Sequence, residues 1–201
     1  MSLTAGVIGV QGDVSEHAEA IERAAADHGE QVDVVRIRES GIVPECDLLS
    51  MPGGESTTIS RLLDRENISH EIRAHVEAEK PLLATCAGLI VAAHDAGDDR
   101  VDELDLIDVT VERNAFGRQA DSFETELPIS GLGEPFHAVF IRAPVITSVG
   151  PEVEVLATYD EQAVAVRDGP VLGTAFHPEL TGDSRLHALA FFGSPATAAS
   201  G

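Results

Sequence analysis

The chain has 201 residues, 43% of them apolar, and its 35 acidic residues against 13 basic ones give a net charge of −22. This length and apolar content predict one compact domain, residues 1–193, followed by a frayed small-residue tail, residues 194–201. So much negative charge repels phosphate, and no basic stripe offsets it, so the composition excludes nucleic acid as a partner.

The acidic residues are spread along the chain, and Lys80 is its only lysine. Such a pattern is typical of a surface adapted to a salty cytoplasm, where screening over a few ångströms removes the self-repulsion of the charges. We therefore expect a halophilic source and folding that requires molar salt.

Two further features concern compartment and cysteine chemistry. No apolar run approaches the roughly 18 residues that cross a bilayer, and no signal peptide pattern is present, which predicts a cytoplasmic protein that does not bind membranes. Cys46 and Cys86 are the only cysteines, and neither belongs to a CxxC or His-rich cluster, so we expect no structural metal. A bridge between the two thiols is disfavoured in an intracellular chain.

The first half of the chain alternates predicted strands and helices. An apolar run at 5–10 predicts a strand, and Asp13 with Glu16 forms a capping signature for a helix that carries Ala18, Ile21 and Ala25. Further strands are predicted at 32–37, 47–51 and 81–85. The strand at 47–51 is followed by a break at Pro52-Gly53-Gly54 and a helix from about Ser56. The strand at 81–85 leads into a helical stretch at 88–96.

The second half is richer in predicted strands, at 106–112, 122–127, 136–142, 153–158, 162–167 and 171–176, and it closes with a helix over about 183–192. The alternation in the first half predicts an α/β fold, a three-layer sandwich with a mainly parallel central sheet covered on both faces. Ligands of such sheets bind beyond the carboxyl ends of the strands, which is where Gly53, Gly54, Cys86 and His177 fall.

Cys86 lies between an apolar strand and an apolar helix, in Ala84-Thr85-Cys86-Ala87-Gly88. This arrangement is similar to the strand-to-helix elbow that exposes a nucleophile in other α/β enzymes, and a helix N-terminus favours the thiolate. The commoner fate of a free cysteine is to be a small buried apolar residue, so the elbow alone leaves both interpretations open.

Phe176-His177-Pro178-Glu179 follows the last predicted strand, where His177 and Glu179 project from one loop. With Cys86 they supply the nucleophile, base and orienting group of a catalytic triad, which needs proximity in space rather than in sequence. The glycine loop at 52–56 can present backbone N–H groups to an oxyanion, although in isolation it is equally typical of an ordinary turn.

Together these motifs resemble class I glutamine amidotransferases, and among them the glutaminase subunits of pyridoxal 5′-phosphate synthase. The resemblance covers nearly the whole chain, and Ala84 stands where the family usually has glycine. It is carried by Gly53-Gly54-Glu55-Ser56-Thr57, Thr85-Cys86-Ala87-Gly88, Arg113-Asn114-Ala115-Phe116-Gly117-Arg118-Gln119, Phe140-Ile141-Arg142-Ala143-Pro144 and Phe176-His177-Pro178-Glu179-Leu180. The strings at 113–119 and 140–144 are the specific ones.

The resemblance implies hydrolysis of L-glutamine to L-glutamate and ammonia through a thioester on Cys86, with His177 as proton shuttle and Glu179 orienting it. It also implies an oxyanion hole from Gly54 and Ala87, and a synthase subunit that receives the ammonia in a hetero-oligomeric complex. No cofactor is implied for this chain. The glutamine-binding residues implied by the family motifs are Gly54, Glu55, Ser56, Arg113, Ile141 and Arg142.

An arginine fork suits the α-carboxylate of glutamine even without the family, although a surface salt bridge is the usual role of any one arginine. Gln11 and His17 lie in a segment that in the family faces the synthase, which suggests a role in coupling partner docking to activation. For His17, a solvated position on the helix surface is an equally good interpretation. The remaining histidines, at 28, 70, 75, 94, 137 and 187, are interpreted as helix-surface or packing residues.

Two alternatives stay open at this point. One is a glutaminase subunit of another pathway, such as imidazole glycerol phosphate synthesis, which shares the triad but differs in the partner-facing strings. The other is a non-catalytic regulatory partner of the same fold, for which an incomplete triad would be the signature.

Overall fold

The computed structural model describes residues 1–12, 14–113 and 122–193. The strands are β1 Leu3–Ile8, β2 Val32–Ile37, β3 Leu48–Met51, β4 Leu82–Thr85, β5 Ala93–Asp95, β6 Ile107–Glu112, β7 Ser122–Leu127, β8 Phe136–Ile141, β9 Val145–Val149, β10 Glu154–Tyr159, β11 Gln162–Asp168 and β12 Val171–Thr174. The α-helices are α1 Ser15–Asp27, α2 Ser56–Arg65, α3 Ser69–Glu77, α4 Ala87–Ala92 and α5 Arg185–Phe191.

The central sheet has the strand order β2-β1-β3-β4-β12-β11-β9-β6-β5, with β10 added to β11. The half from β2 to β12 is parallel throughout. Its inner strands are short apolar runs such as Leu82–Thr85, buried at every position, as expected of parallel strands covered on both faces. The other half is largely antiparallel around β11, β9 and β6, so the sheet as a whole is mixed.

Two apolar clusters cover the two faces of this sheet. Adjacent residues of one strand point to opposite faces, so Leu82 and Ala84 join the cluster under α2, α3 and α4, while Leu83 joins the cluster under α1 and α5. The separate antiparallel pair β7–β8 packs Phe136 and Phe140 onto this second face. The arrangement confirms the predicted three-layer α/β fold.

The predicted helix over 88–96 is wrong in its second half, because α4 ends at Ala92 and the chain continues as β5. The carbonyl oxygens of Val91 and Ala92 accept from the backbone N–H groups of Leu104 and Leu106, at 2.8 Å each. Those carbonyls are therefore occupied by another segment, and β5 pairs with β6 instead of extending the helix.

Besides β5, the predicted set also lacks α3 and β9. The capping prediction for α1 depends on Asp13, which lies outside the described residues, and Val14 before the helix makes no side-chain cap. None of the helices in the described ranges has the length and apolar content to cross a bilayer.

Candidate active site

Cys86 stands at a sharp turn between β4 and α4. Its backbone has φ 51° and ψ −113°, a conformation that residues with side chains rarely adopt, and its N–H donates to the Thr174 carbonyl at 2.9 Å. The turn depends on Gly88, because a Cβ there would lie 2.0 Å from the Met51 carbonyl oxygen. The sulfur is thereby held at the start of α4, beyond the carboxyl ends of the strands.

His177 follows β12 and is fixed to β8, since its backbone N–H donates to the Val139 carbonyl at 2.8 Å. A Cβ built on Gly53 would lie 3.0 Å from His177 Cε1 and 3.4 Å from Cys86 Cβ. Both side chains therefore pack against the same glycine, which brings the thiol and the imidazole together as a triad requires.

Glu179 lies in the short 3-10 helix Pro178–Leu180, and its Oε1 is 2.7 Å from His177 Nδ1. The two side chains are only 15% and 8% exposed, respectively. Because a carboxylate oxygen accepts, Nδ1 of His177 donates, which leaves Nε2 as the ring nitrogen for the Cys86 sulfur.

The electrostatics favour charged forms of both His177 and Glu179. Burial acts to lower the pKa of His177, but hydrogen bonds to Cys86 and Glu179 outweigh it and raise that pKa to about 10. Burial likewise acts to raise the pKa of Glu179, but His17 and His177 hold it well below its usual range. An imidazolium beside the sulfur is the arrangement that stabilises a thiolate by charge attraction.

The other cysteine has a different environment. Cys46 is fully buried, and burial, followed by the charge of Asp47, raises the pKa of its thiol to about 11. A protonated, inaccessible thiol is a packing group rather than a nucleophile.

A cavity of about 230 Å³ opens beside Cys86. It is lined by Gly54, Glu55, Ser56, Cys86, Ala87, Ile90, Arg113, Arg142 and Pro144. The structure therefore brings five of the six predicted glutamine-binding residues to one cavity. Ile141 is not among the lining residues; its side chain is 40% exposed, and its carbonyl oxygen lies 3.9 Å from Cys86 Sγ.

Two arginines reach this cavity in different states. Arg113 already donates to Asp98 Oδ2 at 2.6 Å and to Glu55 Oε1 at 3.2 Å. Arg142 has φ 46°, and within the described part of the chain its guanidinium forms no ion pair. Among the described residues, Arg142 is thus the cavity arginine without an ion-pair partner.

Glu55 is held as the cap of α2. Its carboxylate accepts from the backbone N–H groups of Thr57 and Thr58, at 3.2 and 2.7 Å. The hydroxyl of Thr58 is the largest cause of a pKa lowered to about 2, with the two backbone N–H groups adding to it. The residue therefore presents a fixed negative charge at the cavity.

The two predicted oxyanion-hole residues flank Cys86. Ala87 is the first residue of α4, so its N–H has no acceptor within the helix. Gly54 has φ +146°, a conformation that favours glycine, and the next N–H, of Glu55, donates to Gln11 Oε1 at 2.7 Å. Gln11 thus braces the glycine loop.

A buried polar group behind Glu179 was missed by the sequence reasoning. His17 is 1% exposed, so its interpretation as a solvated residue is wrong, and it lies 3.5 Å from Glu179 Oε2. Ser50 and His187 contact its other ring nitrogen. The available signal was the helical spacing of His17 with Ala20, Ile21 and Ala24, which places it on the buried face of α1.

His75, His94 and His137 make their contacts outside this group. His75 is buried on α3 and contacts the Pro81 carbonyl, while His94 and His137 lie on strands β5 and β8 and not on helices.

Of the string at 113–119, only Arg113 is within the described residues. In these residues no group of three or more His, Cys, Asp or Glu side chains is placed to hold a metal ion.

The comparisons with known proteins agree with this geometry. The family model described as "SNO glutamine amidotransferase family" matches residues 7–192. A "Pyridoxal 5′-phosphate synthase subunit PdxT" of Haloarcula marismortui is 70% identical over 194 residues, 96% of this chain and 98% of the relative. The protein of the same name from Halobacterium salinarum is 66% identical over 201 residues, 100% of this chain and 99% of the relative.

A solved structure described as "Crystal structure of glutamine amidotransferase" superposes with a TM-score of 0.82 at 44% identity, covering 91% of this chain and 94% of that one. The predicted family resemblance and the predicted halophilic source are confirmed by these relatives.

Proposed function

This chain belongs to the SNO glutamine amidotransferase family, and we propose that it hydrolyses L-glutamine to L-glutamate and ammonia as the glutaminase subunit of a pyridoxal 5′-phosphate synthase. The name shared by the curated relatives favours this pathway over imidazole glycerol phosphate synthesis. The complete set of Cys86, His177 and Glu179 disfavours a non-catalytic partner. The observation that carries the proposal is the packing of Cys86 and His177 against Gly53.

In this mechanism Cys86 Sγ attacks the side-chain amide carbon of glutamine. The carbonyl oxygen becomes an oxyanion, for which the N–H groups of Gly54 and Ala87 are the donors. His177 gives its proton to the departing nitrogen, so ammonia leaves and a thioester remains on Cys86.

Water then cleaves the thioester, with His177 as the base that takes a proton from it, and glutamate leaves as the thiol is restored. Glu179 holds the imidazole with Nδ1 donating, so that Nε2 serves the sulfur and the leaving group. The raised pKa of His177, about 10, keeps a proton on the ring for the departing ammonia.

The amino-acid end of glutamine carries one negative and one positive charge. Arg142, which has no ion-pair partner among the described residues, suits the α-carboxylate, and the fixed carboxylate of Glu55 suits the α-ammonium. Arg113 holds Glu55 from the other side, Ser56 completes the wall, and the Ile141 carbonyl approaches the sulfur. Substitution of Arg142 and of Glu55 tests the two charge contacts to glutamine separately.

The ammonia passes to a synthase subunit, which the name of the relatives implies. We place the two subunits in one hetero-oligomeric complex in the cytoplasm, with residues 1–193 as a single glutaminase domain.

The test is ammonia release from glutamine in molar KCl, with and without the synthase subunit. Cys86→Ala should lower the rate by at least about a thousandfold, as loss of a triad nucleophile does. The matched control is Cys46→Ala, which removes the other thiol and should retain the wild-type rate. Full activity in Cys86→Ala, or no ammonia from the wild type with its partner present, contradicts the proposal.

A further inference from the structure

A second histidine lies behind the carboxylate of the triad. His17 Nε2 is 3.5 Å from Glu179 Oε2 and also 3.5 Å from Thr85 Oγ1. Glu179 Oε1 is occupied by His177, whereas Oε2 is buried and has no hydrogen-bond partner among the described residues. Since a buried carboxylate oxygen without a donor is costly, Oε2 has the greater need of the His17 N–H.

The opposite side of the His17 ring determines where its proton lies. Nδ1 is 3.2 Å from Ser50 Oγ and 3.3 Å from His187 Nε2. His187 is 0% exposed, and burial, with the nearby His17, lowers its pKa to about 3, so it is neutral and has one N–H group.

The single N–H of neutral His187 can reach an acceptor from only one of its two ring nitrogens in the described chain. His187 Nδ1 has no partner within the described chain, so a proton there would be a buried donor without an acceptor. A proton on Nε2 instead faces His17 Nδ1. His17 Nδ1 is then an acceptor, and the proton of His17 is on Nε2, facing Glu179.

We propose that His17 is a positioning residue for the triad: its Nε2–H donates to Glu179 Oε2 and holds the carboxylate with Oε1 in line with His177 Nδ1. The inference rests on the proposed glutaminase function. Without this donor, Oε2 is left unpaired, and the carboxylate turns towards another donor and away from His177. His17 is not among the residues that line the substrate cavity, and of the three triad residues it is Glu179 that its ring contacts within the described chain.

Two amide substitutions distinguish the roles of the two ring nitrogens of His17. In His17→Gln the amide nitrogen reaches about as far as Nε2 and retains a donor for Glu179. In His17→Asn the shorter amide reaches only as far as Nδ1, so it keeps the contacts with Ser50 and His187 but not the donor to Oε2. Both replacement side chains are polar, and neither is larger than that of histidine.

The expected result is a difference in kcat without a difference in KM. His17→Asn should lower kcat for glutamine hydrolysis about ten- to a hundredfold, the usual range for a supporting hydrogen bond, while His17→Gln stays within about threefold of wild type. The assay uses molar KCl and the synthase subunit, and Cys86→Ala runs alongside. His75→Asn, which also buries an asparagine in place of an imidazole but lies on α3, should keep the wild-type kcat.

A second readout does not depend on turnover. The rate of Cys86 alkylation by iodoacetamide, followed against pH, reports the sulfur–imidazole pair. Its midpoint should move to higher pH in His17→Asn and stay in place in His17→Gln. The charged and titratable groups that face this site are Glu179 and His187 around His17, and Arg23 beyond His187. These three are unchanged in both variants.

The tautomer can also be read in the native protein. Nitrogen-15 NMR of histidine-labelled wild type should show the His17 proton on Nε2, and a ring with no proton on Nε2 overturns the inference whatever the variants do. Equal kcat in His17→Asn and His17→Gln overturns it too, while loss of activity only in Cys86→Ala leaves the glutaminase function standing. An inactive wild type would instead count against the function itself.

Discussion

Asp98 holds Arg113 at the edge of the substrate cavity, with Oδ2 accepting from Nη1 at 2.6 Å. Asp98 is also bound by Arg100, and its carboxyl pKa is held well below its usual range, first by the Arg100 side chain. Arg113 in turn contacts Glu55, the cap of α2. Glu55 at the cavity is therefore connected, through Arg113, to an ion pair with Asp98.

Asp98→Asn should raise the KM for glutamine about tenfold with little change in kcat. Loss of the charged hydrogen bond from Asp98 frees Arg113 to pair with Glu55 alone, which weakens the attraction that Glu55 offers to the α-ammonium of glutamine. Steady-state kinetics of ammonia release measure both constants. Asp99→Asn, a neighbouring change of the same kind, is the control, and an unchanged KM in Asp98→Asn would contradict the role given to this ion pair.

Gly88→Ala should destabilise the fold and remove the elbow at Cys86. The added Cβ would lie 2.0 Å from the Met51 carbonyl oxygen and within 3.0 Å of the Pro52 carbonyl, both of which are backbone atoms that yield little. Overpacking of this kind costs about 1–3 kcal/mol or more. Denaturant unfolding in molar KCl measures the loss, and glutaminase activity reports the nucleophile.

Gly133→Ala is the matched control for Gly88→Ala, because nothing lies within 4 Å of a Cβ at that position. Its free energy of unfolding should equal that of the wild type. If both variants unfold at the same denaturant concentration, the close approach of α4 to the end of β3 is not what requires glycine.

The strands that position the triad could be predicted from the sequence. The end of α4 and the buried histidines behind Glu179 could not. β3, β4 and β12 are short apolar runs that lie just before Gly53, Cys86 and His177, so their ends could be placed from the sequence to within two residues. The end of α4 depends on carbonyls taken by residues more than ten positions away, which local pattern does not record. His17 and His187 are 170 positions apart, and their contact follows only from the packing of α1 on α5.

The pH dependence of stability should reveal the charge of His177. Its folded pKa of about 10 exceeds the ordinary 6.5, so the folded state holds the proton more tightly than the unfolded state. This contribution is fully present below pH 6.5 and is lost as the pH rises towards 10. The free energy of unfolding should therefore fall across that interval.

In Cys86→Ala the fall should still begin near pH 6.5 but should be smaller and end at lower pH, because a hydrogen bond to Cys86 is among the causes that raise the folded-state pKa of His177. Denaturant melts at a series of pH values, at constant KCl, give the two curves. Below pH 9, the ordinary pKa of a thiol, Cys46→Ala should shift the curve without altering its shape, since burial holds the Cys46 thiol protonated there and raises its pKa to about 11. Curves of Cys86→Ala and wild type that run parallel would show that the sulfur does not set the charge of the imidazole.

Salt should stabilise the protein through its surface charge. With 35 acidic residues against 13 basic ones, like charges repel across the surface of the folded chain. Raising KCl shortens the screening length from about 10 Å at 0.1 M to about 3 Å at 1 M, which removes most of that repulsion. The Tm should therefore rise between low and molar KCl.

A variant with fewer surface charges distinguishes the screening of charge repulsion from other effects of KCl on the Tm. Glu22, Glu39 and Glu152 are exposed, and their joint change to glutamine lowers the negative charge without touching the cavity. This variant should melt higher than wild type at low KCl and at nearly the same temperature in molar KCl, since salt has by then screened the repulsion that the substitutions remove. A wild-type Tm that does not change with KCl, or a variant whose advantage persists undiminished in molar salt, would contradict repulsion as the cause.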